Sequence, residues 1–252
     1  MRLTALVLML GMAGAAHAVP IHWADWTAST GPLPNSPGAN LFGNITTTTS
    51  TVNLHYNNPQ GIAFSQITGG GVDYWQNNRS GRNPATSPYT STQVDNIPTG
   101  TDIIALQFAG LQTLSFSQAI ANPLFSFVSL NGNGYAFDQD FDILSVSGVD
   151  GNDCGYWGCG TVSKNVVDLG GGNFEYQLIG SGEPHGTIRF TGAFDTVTWR
   201  SLSNENWNGF TVGIEGTAEE VFGQPVPEPG TLVLLASGLV GLVAYGRRRR
   251  GA

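Results

Sequence analysis

The chain has 252 residues, a formal net charge of −8 and only 11% charged residues. Outside the two ends its cations are Arg79, Arg82, Lys164, Arg189 and Arg200, set against all but one of the 18 Asp and Glu residues. Phosphate binding needs concentrated cations, so nucleic acid is excluded as a partner.

Met1 to Ala18 holds one cation, Arg2, then an apolar run from Leu3 to Ala16, then Ala16-His17-Ala18. That pattern predicts a secretory signal peptide at 1–18, cut before Val19 by a signal peptidase after passage through the secretory translocon. Residues 19–224 then form one β-rich ectodomain, of a size usual for a single β-sandwich.

The 35 glycines and the absence of any long helical-period window before the tail argue against helices. Short runs of period two or of wholly apolar character appear instead: Ile62–Phe64, Asp102–Phe108, Leu124–Leu130, Phe141–Val146, Asn173–Ile179, Gly186–Phe190, Phe194–Trp199 and Gly209–Ile214. The dipeptides Asn131-Gly132, Asn133-Gly134, Asp150-Gly151 and Gly171-Gly172 read as turns between them. The expected fold class is all-β, an antiparallel sandwich or a jelly roll. Val19 to about Gly100, rich in Thr, Asn and Pro, is expected to hold edge strands and long loops.

Four constellations carry candidate chemistry. Cys154 and Cys159, spaced by Gly155-Tyr156-Trp157-Gly158, predict a disulfide closing a tight loop in an exported protein; a metal site would need further ligands, and the spacing is not the Cys-x-x-Cys of thiol redox chemistry. Asp138, Asp140 and Asp142 alternate, so they either converge on Ca²⁺ from a loop or share one solvated strand face; Asp150 and Asp153 stand near in sequence. Calcium is the one cofactor this pattern admits. Trp75, in a polar run, and Trp157, in the cysteine loop, are candidate platforms for sugar rings, whereas Trp199 and Trp207 read as core. Glu183 and Glu205 are an imaginable acid/base pair for glycoside cleavage, yet no motif surrounds either and nothing in the sequence sets them opposite each other. His185 reads as a turn residue with a structural hydrogen bond. The run Thr46 to Thr51 reads as an edge strand or linker, since a lone run without repeats makes no regular ice-facing surface. No catalytic residue is assigned.

The last stretch, 225–252, says most. Pro225, Pro227 and Pro229 keep the chain extended. Thr231 to Tyr245 is free of charge, and Arg247, Arg248, Arg249 and Arg250 follow, a cluster that stays on the cytoplasmic side. The span of about fifteen residues is shorter than the roughly 20 that cross a bilayer comfortably, which suits a processing signal with one short transmembrane helix. Val226-Pro227-Glu228-Pro229, then an apolar span, then arginines, resembles the PEP-CTERM sorting signal of exopolysaccharide-producing Gram-negative bacteria, a segment also labelled as the C-terminal type of ice-binding proteins. The resemblance implies an exosortase-type membrane transpeptidase as partner, transient residence in the inner membrane, and a final place at the cell surface or in the extracellular matrix. Glu205-Asn206-Trp207-Asn208-Gly209-Phe210-Thr211-Val212-Gly213 also resembles a segment of the bodies found beside such signals, and it brings no activity with it. The expected function is a non-catalytic structural or polysaccharide-associated protein of biofilm; the alternatives are a carbohydrate-binding module or a glycoside hydrolase.

Overall fold

The computed structural model describes residues 18–30, 38–67 and 69–223. The signal peptide and the apolar span Thr231–Tyr245 lie outside or almost wholly outside the described residues, and among those described no helix is long and apolar enough to cross a membrane. In chain order the strands are β1 (His22–Trp23), β2 (Asp25–Thr30), β3 (Ala39–Thr46), β4 (Thr51–Asn58), β5 (Phe64–Gln66), β6 (Ile103–Leu106), β7 (Gly110–Ala121), β8 (Leu124–Val128), β9 (Gly134–Phe137), β10 (Asp142–Val146), β11 (Gly160–Gly170), β12 (Asn173–Gly182), β13 (Gly186–Arg189), β14 (Ala193–Ser201), β15 (Asn208–Ile214) and β16 (Gly216–Thr217), followed by the short helix α1 (Ala218–Phe222). One sheet runs β10-β13-β8-β15-β6-β5 with β1 beside β15; the other runs β11-β12-β9-β14-β7-β4-β3-β2 with β16 beside β7. The fold is all-β with antiparallel sheets.

Alternation explains how the two sheets pack. In β8, Phe125 and Phe127 turn inward and meet residues such as Tyr56, Leu114 and Trp199 of the other sheet in one buried cluster. The Phe125 and Trp199 rings stand 5.0 Å apart, edge to face, the geometry that aromatic quadrupoles favour.

β8 and β15 are buried along their whole lengths. Their outer face is covered by two smaller clusters, Trp75, Tyr89, Ile97, Ile103 and Val128 in one, and Ile21, Trp23, Val94 and Leu124 in the other. That covering accounts for the small residues of β15. A Cβ on Gly209 would run into the Ile103 side chain of β6, and one on Gly213 into Ile21 and Trp23, so glycine stands at the two positions of β15 that these side chains cross.

The N-terminal half corrects the expectation of few clear strands. β3 and β4 pair over eight residues, and β4 alternates without fault, Val52, Leu54 and Tyr56 in, Thr51, Asn53 and His55 out. The threonine run is the turn joining them, with Thr47 donating from its backbone N–H to the Ser50 carbonyl at 2.9 Å. Asn133-Gly134 is likewise no turn, because Gly134 opens β9 opposite Ile179.

Helix α1 is fastened to that β3–β4 turn. Thr217 and Glu220 cap its start reciprocally, as a capping box does, and the Glu220 carboxylate also accepts hydrogen bonds from the hydroxyls of Thr47 and Thr49. Partial burial pushes the Glu220 carboxyl up, but the hydrogen bonds from Thr47, Thr49 and Thr217 outweigh it and take it down to about 2.

Candidate functional site

Three loops and a strand link converge at one end of the sandwich. Trp157 comes from the disulfide loop between β10 and β11, Ser129 and Asn131 from the loop after β8, Glu183 from the link between β12 and β13, and Glu205, Asn206 and Trp207 from the loop before β15. Together they line a cleft of about 300 Å³, within the range of small-molecule sites.

The loop with Trp157 is held on three counts. Cys154 and Cys159 are joined by a disulfide, as the spacing predicted. Gly155 donates to the Gly158 carbonyl at 3.0 Å, and it packs directly against the ring of His185, where a Cβ would collide with it. His185 is wholly buried, its Nδ1 3.0 Å from the Tyr89 hydroxyl, and burial alone lowers its pKa to about 3. The imidazole is therefore neutral, a structural floor under the loop. It matches the expected structural role.

On that base Trp157 stays 42% exposed. Its ring packs edge-on against Tyr156 and Trp207, with centroids at 5.0 and 6.3 Å, and the Arg79 guanidinium lies 4.4 Å from its centroid. Trp207 corrects its reading as core. It is only partly buried, banked between Phe64 and Tyr74, each at 5.0 Å, and it borders the cleft.

The two glutamates, which the sequence could not relate, share this cleft. Glu183 accepts from the Ser129 hydroxyl and from Asn131 Nδ2 at 2.8 Å. Glu205 accepts from Asn208 Nδ2 and from Asn133 Nδ2 at 3.2 Å, while Asn208 is itself fixed by the Tyr135 hydroxyl. Burial raises the Glu205 pKa; the Asn208 and Asn133 hydrogen bonds oppose this, and the nearby charge of Glu183 adds to it. The site thus pairs two fixed carboxylates with carboxamides and two indole rings. Such a set can hydrogen-bond hydroxyl groups while stacking against the apolar face of a ring.

Other candidates fall elsewhere. Trp75 is corrected as a ligand platform: it is fully buried, its indole N–H donates to the Asp102 carbonyl at 3.2 Å, and it packs edge to face on Tyr89 at 5.0 Å. Asp138, Asp140 and Asp142 are not brought together on one ion. Asp140 pairs with Lys164 and Asp142 with Arg189 at 3.5 Å, while Asp153 is taken up by Thr86 and Asn77 at 2.6 and 3.0 Å. Among the described residues no three His, Cys, Asp or Glu side chains stand close enough to hold a metal.

Residues 225–250 match the family model described as the PEP-CTERM protein-sorting motif. The chain carries a PEP-CTERM sorting signal. The match includes Val226, Pro227, Glu228, Pro229 and Arg247 to Arg250, all outside the described residues. The PEP-CTERM motif supports sorting to the cell surface with an exosortase as processing partner. No curated protein and no solved structure matches the chain.

Proposed function

We propose that this PEP-CTERM protein is exported, trimmed at its tail and displayed at the cell surface or in the extracellular matrix, where its cleft holds saccharide units of extracellular polysaccharide without cutting them. The observation that carries the reading is the cleft itself: Trp157 exposed on a loop pinned by a disulfide, with Trp207 beside it and Glu183, Glu205 and Asn131 offering hydrogen bonds. A fixed indole loses little freedom when a ring settles on it, so an anchored Trp157 is suited to capture.

The test is an affinity gel cast with the exopolysaccharide of the producing cells. The full-length protein should be retarded, and Trp157→Ala should lose roughly tenfold in affinity, about 1.4 kcal/mol. Migration equal to that of an inert control protein would end the saccharide reading.

A second reading, glycoside hydrolysis, draws support from one observation, the meeting of Glu183 and Glu205 in the same cleft with Glu205 shifted toward its protonated form, as a general acid requires. It predicts reducing-sugar release that disappears in Glu205→Gln. Release at the background rate by the unaltered protein would leave binding alone.

A further inference from the structure

Every open sheet edge exposes unpaired backbone groups and is commonly blunted. Here β5 is three residues long, β10 is short and broken by an irregularity between Ile143 and Ser145, and β2 is broken between Trp26 and Ala28. β11 differs from all three. It pairs with β12 through ten residues, regular as far as Asp168, and no strand among the described residues takes its other side.

Its side chains are just as open. From Ser163 to Leu169 every residue is exposed, including Val166 at 56% and Leu169 at 63%. The far end of the hairpin also overhangs the sheet, because β9 meets β12 only from Tyr176 to Ile179, so among the described residues Asn173 to Glu175 have β11 as their one strand partner, with a side-chain pair from Glu175 to Arg200. Phe174 and Val167 are exposed on that overhang. A bare two-stranded ribbon is marginal in water, and one with four exposed apolar side chains is a surface in want of cover.

The charges on β11 select what covers it. The strand has one cation, Lys164, and one carboxylate in its ladder, Asp168. An antiparallel pair of two copies with its two-fold at Val166 sets Lys164 of each chain opposite Asp168 of the other, Ser163 opposite Leu169, and Val166 opposite itself. A parallel in-register pair would instead set like charges opposite each other, which destabilises, and other antiparallel registers leave Asp168 without a cation opposite it. Lys164 already lies beside Asp140, so the partner's Asp168 would add a second carboxylate at the same ammonium.

The geometry points to β11 as a self-association edge, joining two copies of this chain into an antiparallel dimer about Val166. The pair is isologous and closed, since it uses up the one long regular edge found among the described residues of each copy. This surface is separate from the cleft and does not depend on what the cleft binds.

Cysteine cross-linking of the full chain tests it. In an antiparallel pair about a two-fold, residue 166 alone meets itself, at a Cα separation of about 4.5–5.5 Å, which a disulfide can bridge. Val166→Cys should run at twice the monomer mass on a non-reducing gel after mild oxidation, with Ser163→Cys at least tenfold less cross-linked and Cys154–Cys159 intact in both. Adding Asp168→Lys to Val166→Cys sets cation against cation and should cut the yield roughly tenfold. Absence of the Val166→Cys dimer, equal cross-linking at 163 and 166, or a yield indifferent to Asp168→Lys would each overturn the proposal.

Discussion

The loop from Cys154 to Cys159 and the hairpin that starts at Gly160 adjoin in sequence and are opposite in construction. The loop has no regular secondary structure, yet a disulfide, an internal backbone hydrogen bond and a buried histidine fix it. The hairpin has ten ladder pairs and leaves most of its surface uncovered. Regular hydrogen bonding and burial are therefore separable here. The proposed capture site sits on the pinned loop, and the proposed contact surface on the uncovered ladder.

The contrast can be broken from its tight side first. Gly155→Ala drives a methyl into the His185 ring and should cost about 1–3 kcal/mol, the usual range for overpacking; a thermal melt within a degree of the parent would show that the loop is not seated as described. Reducing Cys154–Cys159 should cost about 2 kcal/mol on the chain-entropy argument for so small a ring, and should also weaken retention on polysaccharide, because the base under Trp157 loosens. Unaltered retention after reduction would separate Trp157 from the site.

Acid sharpens the comparison. The unfolded chain takes up a proton at His185 near the usual 6.5, whereas the folded chain resists until about 3, so stability should fall as pH drops from roughly 6.5 toward 3. Glu220 adds a second loss: its clasp is intact above about 4.5 and disappears as pH falls toward 2. His185→Gln should remove the decline between pH 6 and 5 in a urea-midpoint series, and persistence of that decline would place its source elsewhere. On the open side, Val167→Thr should shift the folding free energy by less than about 0.5 kcal/mol, as surface changes do. A larger loss in denaturant titration would mean that the ribbon is packed after all.

Much of the C-terminal half was legible because its strands announce themselves. Leu124–Val128 and Asn208–Ile214 are mostly apolar runs buried on both faces, and Gly171-Gly172 does turn β11 into β12, with both glycines at positive φ. β4 was missed although its period of two is perfect, because Asn and His at its outward positions look like loop composition. β11 was missed for the opposite reason: being exposed on both faces, it has no apolar alternation to read. Trp157, Glu183 and Glu205 were named from the sequence one by one, but their meeting in one cleft could not be read there. Glu183 and Glu205 are brought together by long-range pairings of β12 with β9 and of β8 with β15, and no local signal encodes that meeting. Trp75 was misjudged because polar neighbours suggested exposure, while its burial comes from Tyr89 and from Asp102, 27 residues on.

The fastening of α1 by Glu220 carries a last consequence, for how the domain is held. Two residues separate Phe222, the last of α1, from residue 225, where the matched motif begins, so a pull on the tail falls first on α1 and on the Thr47 and Thr49 hydroxyls that hold its Glu220 to the β3–β4 turn.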